Sequence, residues 1–167
     1  MEIETERLIL RPLAIADLDA LVKLQADPEV ARFIGSFTRA ELADWVQGNI
    51  DEWAERGHSR MAIIERDTGE LVGRTGVRRL PQFDELELAW ALAAEVRGRG
   101  YATEAAAACL DWALREHRPE YVTSMIDPHN TPSIAVAERL GMRPLREDVF
   151  AGEELIVYAT SAAPRDR

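Results

Sequence analysis

Residues 85–116 read ELELAWALAAEVRGRGYATEAAAACLDWALRE, and no other stretch constrains the fold as tightly. The alternation of ELELAWAL predicts a strand, Glu85–Leu92. Arginine and glycine then alternate, and alanine-rich sequence predicts a helix over residues 103–116 with no break before it. Gly98 and Gly100 leave the backbone unshielded, so its N–H groups are open to close approach by a ligand. A helix start carries unpaired N–H donors and partial positive charge, which favour an anion. Arg97 and Arg99 add cationic donors at the rim. Alanines at 105–108 let the helix lie close to a sheet, fixing its start beside the strand end. The stretch is built for a diphosphate. A Walker P-loop needs Gly-Lys-Ser/Thr, and a dinucleotide fingerprint needs glycine where Thr103 stands. The competing reading is a charged turn that binds nothing.

The flanking sequence predicts one α/β domain over residues 1–160, with residues 161–167 a frayed tail. Arg7–Leu13 reads as a strand. Asp17 caps a helix through Leu18, Leu21 and Val22 that ends near Asp27-Pro28. Thr38 and Glu41 have capping-box spacing, and the helical period then runs through Trp45 and Trp53 to Gly57. RMAIIER and ELVGRTGV form a hairpin through Asp67-Thr68-Gly69. Tyr121–Asp127 is a strand, Thr131 an N-cap with Pro132 first in its helix, and a last hairpin turns through Ala151-Gly152. Of the 167 residues, 47% are hydrophobic, enough for a real core, and the net charge of −10 argues against a duplex nucleic-acid partner. The single cysteine, Cys109, sits among alanines and reads as a small buried hydrophobe. His58, His117 and His129 are scattered without ligand spacing, and no metal is assigned. MEIETERLILRPL is not a signal peptide, no stretch approaches a membrane span, and a soluble cytoplasmic protein is expected. The helix carrying Trp45 and Trp53 also offers a face for a homodimer.

Arg97-Gly98-Arg99-Gly100-Tyr101-Ala102 satisfies every fixed position of Gln/Arg-x-x-Gly-x-Gly/Ala, and so resembles the acetyl-coenzyme A loop of the GNAT superfamily. TERLILRPL, TGELVGRTGV, GYATEA and NTPSIAVAERLGM resemble, in order, segments of its RimJ/RimL-like branch. The likeness covers about the whole chain up to residue 160. It implies a mixed, mostly antiparallel sheet flanked by about four helices. The strands before and after the loop helix lie side by side and splay apart at the loop end. It implies acetyl-CoA on residues 97–103, its pantetheine arm against backbone near Leu92 and Ala94, with Asn130 binding cofactor or ordering water. An Asx turn is the alternative for Asn130.

Such a transferase moves an acetyl group to a primary amine by direct attack, and the amine must lose a proton. Alternation puts Glu85 and Glu87 on one face of their strand. A central strand is covered on both sides, so Glu87 is expected to be partly desolvated and raised toward a useful base, with Glu85 next in line. The tyrosine that many members carry after Asn-x-x-Ser is Ala137 here, and the resemblance leaves Ser133 as the acid for the departing thiolate. Tyr101 and Tyr158 are packing residues. Substrate choice falls to Phe33–Thr38 and Val149–Glu154, where Glu147, Asp148, Glu153 and Glu154 attract a cationic amine or simply form a solvated turn. Two rival readings stand: a catalytically weak acyl-CoA-binding or regulatory module, and a nucleotide-phosphate binder, disfavoured without Lys-Ser/Thr.

Overall fold

The alanine-rich stretch becomes the crossover on which the sheet is built. In the computed structural model, which describes residues 1–160, the chain runs β1 (Ile3–Glu4), β2 (Leu8–Pro12), α1 (Leu18–Gln25), α2 (Pro28–Ile34), α3 (Arg39–Arg56), β3 (Arg60–Glu65) and β4 (Leu71–Leu80). It continues through β5 (Glu85–Leu92), α4 (Tyr101–His117), β6 (Thr123–Ile126), α5 (Thr131–Arg139), β7 (Arg143–Phe150) and β8 (Glu153–Ala159). The eight strands form one sheet in the order β1-β2-β3-β4-β5-β6-β8-β7. Only β5 and β6 run parallel, because α4 carries the chain back to the starting end between them. The sheet is thus mixed and mostly antiparallel, as expected. The tail expected at 161–167 lies outside the described residues.

Each face of the sheet has its own core. On one, Ala105, Ala106, Cys109 and Ala113 of α4 lie fully buried against Leu8, Leu10, Met61, Ile63 and Leu88. Small side chains bring the helix axis close to the strands, which sets its first turn beside the end of β5. Cys109 is buried, and desolvation pushes its thiol up to about 12, so it packs as a hydrophobe. On the other face, Leu21, Leu24, Leu42 and Val46 of α1 and α3 cover Ala62 and Ala91.

Local signals explain most boundaries. Thr38 and Glu41 exchange the two hydrogen bonds of a capping box, and Gly57 ends α3 at φ 70°. The hairpin turns at 67–69 and 151–152 stand where expected. Five helices are present rather than about four. α1 ends just before Asp27-Pro28, as expected, and the same dipeptide also starts α2: the Asp27 carboxylate accepts from the Glu29 N–H, and Pro28 occupies the first turn. Asp17 does not cap α1 with its side chain, because its carboxylate is held by both Arg11 terminal nitrogens at 2.8 Å and by the Ala14 N–H. The cap of α5 is Asn130, one residue before Thr131. Trp45 stacks on Arg74 and Trp53 packs on Trp112 at 5.6 Å, so each half-buried tryptophan has a contact within the chain.

Two histidines that are 59 positions apart in sequence meet in space, against the expectation that they are scattered. The His58 and His117 rings lie edge to face at 4.9 Å, with Trp112 at 5.1 Å from His117. Burial holds both imidazoles below the usual histidine range, and the neighbouring His117 charge adds to this at His58. The folded state therefore binds these protons less readily than the unfolded chain. Their contribution is full above the unfolded histidine value, near 6.5, and is lost as pH falls from there through the lower folded values. The thermal midpoint should drop by several degrees between about pH 7.5 and 5.5, above the range where the carboxylates titrate. His117→Gln should flatten that drop. A midpoint independent of pH across this window, measured calorimetrically, would contradict it.

Candidate active site

The ladder between β5 and β6 stops almost as soon as it begins. The strands share one register pair, Glu87 with Thr123, and then diverge toward the loop end. Where the ladder has ended, the Ser124 hydroxyl donates to the Leu88 carbonyl at 2.7 Å. On the other side β5 stays paired with β4, and the Ala93 N–H reaches the Val72 carbonyl. Alternation then turns the peptide groups of Trp90 and Leu92 toward the gap. The Leu92 carbonyl already accepts from the Arg97 guanidinium at 3.2 Å. Ala94 has left the strand for a 3-10 turn, its carbonyl accepting from the Arg97 N–H. The backbone near Leu92 and Ala94 is therefore only partly unengaged.

The loop itself presents backbone. Gly98 and Gly100 stand at φ 75° and 80°, a region that side chains rarely adopt. Gly100 is the N-cap of α4, no side chain caps the helix, and the first bond into it is from the Glu104 N–H to the Gly100 carbonyl at 3.0 Å. The N–H groups of Tyr101, Ala102 and Thr103 are therefore left without helical acceptors. A Cβ built on Gly98 meets nothing within 4 Å, so the space above the loop is open. This cradle fits an anion such as a diphosphate. The two arginines are less available than expected. Arg97 holds Asp27 at 2.7 Å, and Arg99 holds Glu65 at 3.0 Å and the Tyr101 hydroxyl at 2.7 Å. Arg7 clamps the whole turn: it bonds Glu104 through Nε and Nη2, reaches the Arg99 carbonyl at 2.8 Å, and stacks over Tyr101. Tyr101 is buried, and its hydrogen bond to Glu65 pushes the phenol above its usual range. It is a packing residue, as expected, as is the buried Tyr158.

Glu85 and Glu87 part company. Both are buried on the same strand. Both Glu85 oxygens are held by Arg146, at 2.7 and 2.8 Å, with the Tyr121 hydroxyl at 3.1 Å. Those Arg146 hydrogen bonds, against the effect of burial, hold Glu85 below the usual carboxylate range. Sealed in this way between β5 and β7, Glu85 is ill-suited to the role of base. Glu87 is not simply desolvated either: its Oε2 lies 2.5 Å from Arg60, which also donates to the Gly76 and Glu87 carbonyls. Among the described residues no hydrogen bond falls on its Oε1, and the residue lines a cavity of about 640 Å³.

That cavity is walled by α1, the α2–α3 segment, Trp45, Arg60, Arg74 and the last hairpin. A second cavity, of about 200 Å³, runs past Leu92, Arg97 and Ala102. Trp90, Asn130 and Ser133 line both, so they mark the junction. The Asn130 Oδ1 accepts from the Ser133 N–H at 3.3 Å, which is the capping alternative, while its amide nitrogen is left over for a ligand. The Ser133 hydroxyl makes no hydrogen bond to a described residue. Ala137 is fully enclosed in a cluster with Ile126, Met142 and the buried Tyr158. Arg7, Asp27, Arg60 and Arg74 were not found by sequence reasoning, because each acts through a partner distant in the chain. Among the described residues no group of three metal-binding side chains occurs.

A family model described as an acetyltransferase (GNAT) domain matches residues 7–143. The chain is 31% identical to an uncharacterized N-acetyltransferase, p20, of Bacillus licheniformis, over 97% of this chain and 96% of that protein. An acetyltransferase structure from Agrobacterium tumefaciens superposes with a TM-score of 0.83 at 36% identity, covering 95% of this chain and 93% of that one. RimL, a ribosomal L7/L12 alpha-N-protein acetyltransferase solved with coenzyme A, superposes at 0.81 over 96% of this chain and 98% of its own, and at 19% identity shows the fold alone.

If the loop cradles the cofactor's diphosphate, side chains at its glycines obstruct it. Gly98→Ala should weaken coenzyme A binding at least tenfold while costing only about 1–2 kcal/mol of left-handed backbone strain. Gly100→Val should be more severe in both respects. Calorimetry showing undiminished affinity in a folded Gly98→Ala protein would remove the cofactor from this loop.

Proposed function

The chain belongs to the GNAT acetyltransferase family and uses acetyl-CoA, and on that premise we propose that it acetylates a primary amine by direct attack at the junction of the two cavities. One observation carries the reading. The gap between β5 and β6 joins a cradle of unbonded N–H groups to a cavity that holds a carboxylate with one unused oxygen. In this reading the 97–103 loop binds the diphosphate, and the open backbone at Trp90, Leu92 and Ala94 aligns the pantetheine arm. The cofactor supplies an acetyl thioester. The acceptor is the small-molecule or protein N-terminal amine that reaches the larger cavity.

The proton chemistry belongs to Glu87 and Ser133. Glu87 Oε1 takes the proton that the ammonium must lose before it can attack, directly or through one water. Arg60 fixes the carboxylate's rotamer through Oε2 and leaves Oε1 to the amine. A backbone N–H on the open side of β5 is placed to stabilise the carbonyl oxygen as charge builds on it. Ser133 donates its hydroxyl proton toward the departing thiolate and is reprotonated from water. A binding module with weak turnover is the second reading, favoured by the Arg60–Glu87 pair, which already engages one of the two carboxylate oxygens. The acidic residues of the last hairpin, with Glu153 on the cavity wall, form the side from which a cationic amine approaches.

Glu87→Gln keeps the shape and the contact with Arg60 but accepts no proton. Thiol release should fall in kcat by roughly 10²–10⁴-fold with acetyl-CoA affinity little changed, and the acidic limb of the pH–rate profile should vanish. A variant that keeps most of kcat and the same limb would exclude Glu87 as base.

A further inference from the structure

Three arginines reach the larger cavity from neighbouring strands, and their partners differ. Arg60 holds Glu87 and Arg78 holds Glu52 at 2.8 Å. Arg74 makes no salt bridge or side-chain hydrogen bond among the described residues; its guanidinium instead stacks over the ring of Trp45, whose centroid lies 4.8 Å from the guanidinium carbon. Stacking uses the flat face of a guanidinium and leaves the in-plane N–H edge free, the edge that engages a carboxylate in two parallel bonds. Burial and the Arg60 charge pull its pKa down to about 10, with Glu87 opposing and Arg78 adding to the fall. Arg74 thus lines the cavity beside two arginines that each have a carboxylate, and has no carboxylate of its own among the described residues. Arg74 is half-buried, and what it exposes is the wall of the cavity.

Register places the three groups on one side of the sheet. Arg78 faces Glu87 and Arg74 faces Ala91 across the β4–β5 pair, and all four side chains alternate to the same face. Four residues of strand, roughly 13 Å of backbone, separate Arg74 from Arg78, and flexible side chains extend into that interval. The other acids on the wall are committed or remote: Asp127 is held by His129, and Glu153 is exposed on the last hairpin.

We infer that the acceptor carries a carboxylate as well as its amine, with Arg74 binding the carboxylate, Trp45 holding Arg74 in place, and Glu87 facing the amine. This rests on the acetyl-transfer reading and names the acceptor class as free amino acids or closely related amino carboxylates.

The test pairs each amino acid with its decarboxylated amine, for example phenylalanine with phenethylamine, leucine with isopentylamine, and tryptophan with tryptamine. Binding is read as the rise in unfolding temperature of the protein saturated with coenzyme A, and turnover as thiol release from acetyl-CoA. At least one carboxylated member should bind tenfold or more tighter than its partner. Arg74→Gln should raise the KM for that member at least tenfold and erase the preference, leaving coenzyme A affinity and kcat at saturation near wild type. Arg74→Lys should restore part of the preference. Decarboxylated amines that bind equally well, no stabilisation by any carboxylated member, or a preference that survives in a folded Arg74→Gln protein would each overturn the inference. A preference for phosphoethanolamine over ethanolamine without one among the carboxylated pairs would also overturn it, placing a phosphate there. Transfer without carboxylate preference sinks this inference alone. Carboxylate-selective binding with no thiol release sinks the transfer reading instead and leaves the anion site standing.

Discussion

A parallel strand pair that is hydrogen-bonded at one end and open at the other sets most of what this molecule does. Buried peptide groups rarely go unpaired, so a ladder that stops inside a sheet has to be compensated. Here the carbonyls are answered by side chains, Ser124 at Leu88 and Arg97 at Leu92. Those substitutions explain how β5 and β6 part without collapsing onto each other. They also leave the N–H side of the gap as the part that a ligand with carbonyl oxygens can still satisfy. The gap opens at the C-terminal ends of the two strands, where the crossover helix presents its own orphan donors. Both features follow from one topological fact: a parallel connection needs a helix, and the helix start must face the same end.

Charge is handled inside the fold by pairing arginines with glutamates across elements. Arg146–Glu85 ties β7 to β5, Arg60–Glu87 ties β3 to β5, and Arg78–Glu52 ties β4 to α3. Buried ion pairs of this type are weak evidence for stability, since desolvation offsets much of the attraction, but removing one partner strands a charge at a cost of several kcal/mol. Their value here is positional. Close approach of β3 and β4 at Gly76, where a Cβ would sit 2.5 Å from the Ser59 carbonyl, leaves the Gly76 carbonyl to the Arg60 guanidinium, which then holds Glu87. One glycine thus helps fix the rotamer of a carboxylate on the neighbouring strand.

Much of this was legible in the sequence wherever the signal is local. The β5 boundaries, the capping box at Thr38 and Glu41, the hairpin turns and the glycine loop depend on residues within a few positions of each other. Asp27-Pro28 was legible only in part, because the same dipeptide ends one helix and starts the next, and the chain does both. Glu85 and Glu87 are indistinguishable by alternation. What separates them is Arg146 and Arg60, which are 61 and 27 positions away in the chain. The His58–His117 contact and the Arg7 clamp on the loop were hidden for the same reason. Spacing reports periodicity along one element, whereas these contacts are set by how the elements pack.

The arginine left over after pairing is therefore the informative one. Arg60 and Arg78 each have a carboxylate supplied by the fold, and both can be explained without a ligand. Arg74 has only a ring, and a ring orients a guanidinium without neutralising it. Half-buried on the wall of the cavity, its guanidinium has no carboxylate of its own among the described residues. Glu87 shows the complementary arrangement, one oxygen satisfied internally and the other turned to the same cavity. A molecule bearing both an ammonium and a carboxylate completes both groups at once, and neither an amine alone nor an acid alone does so.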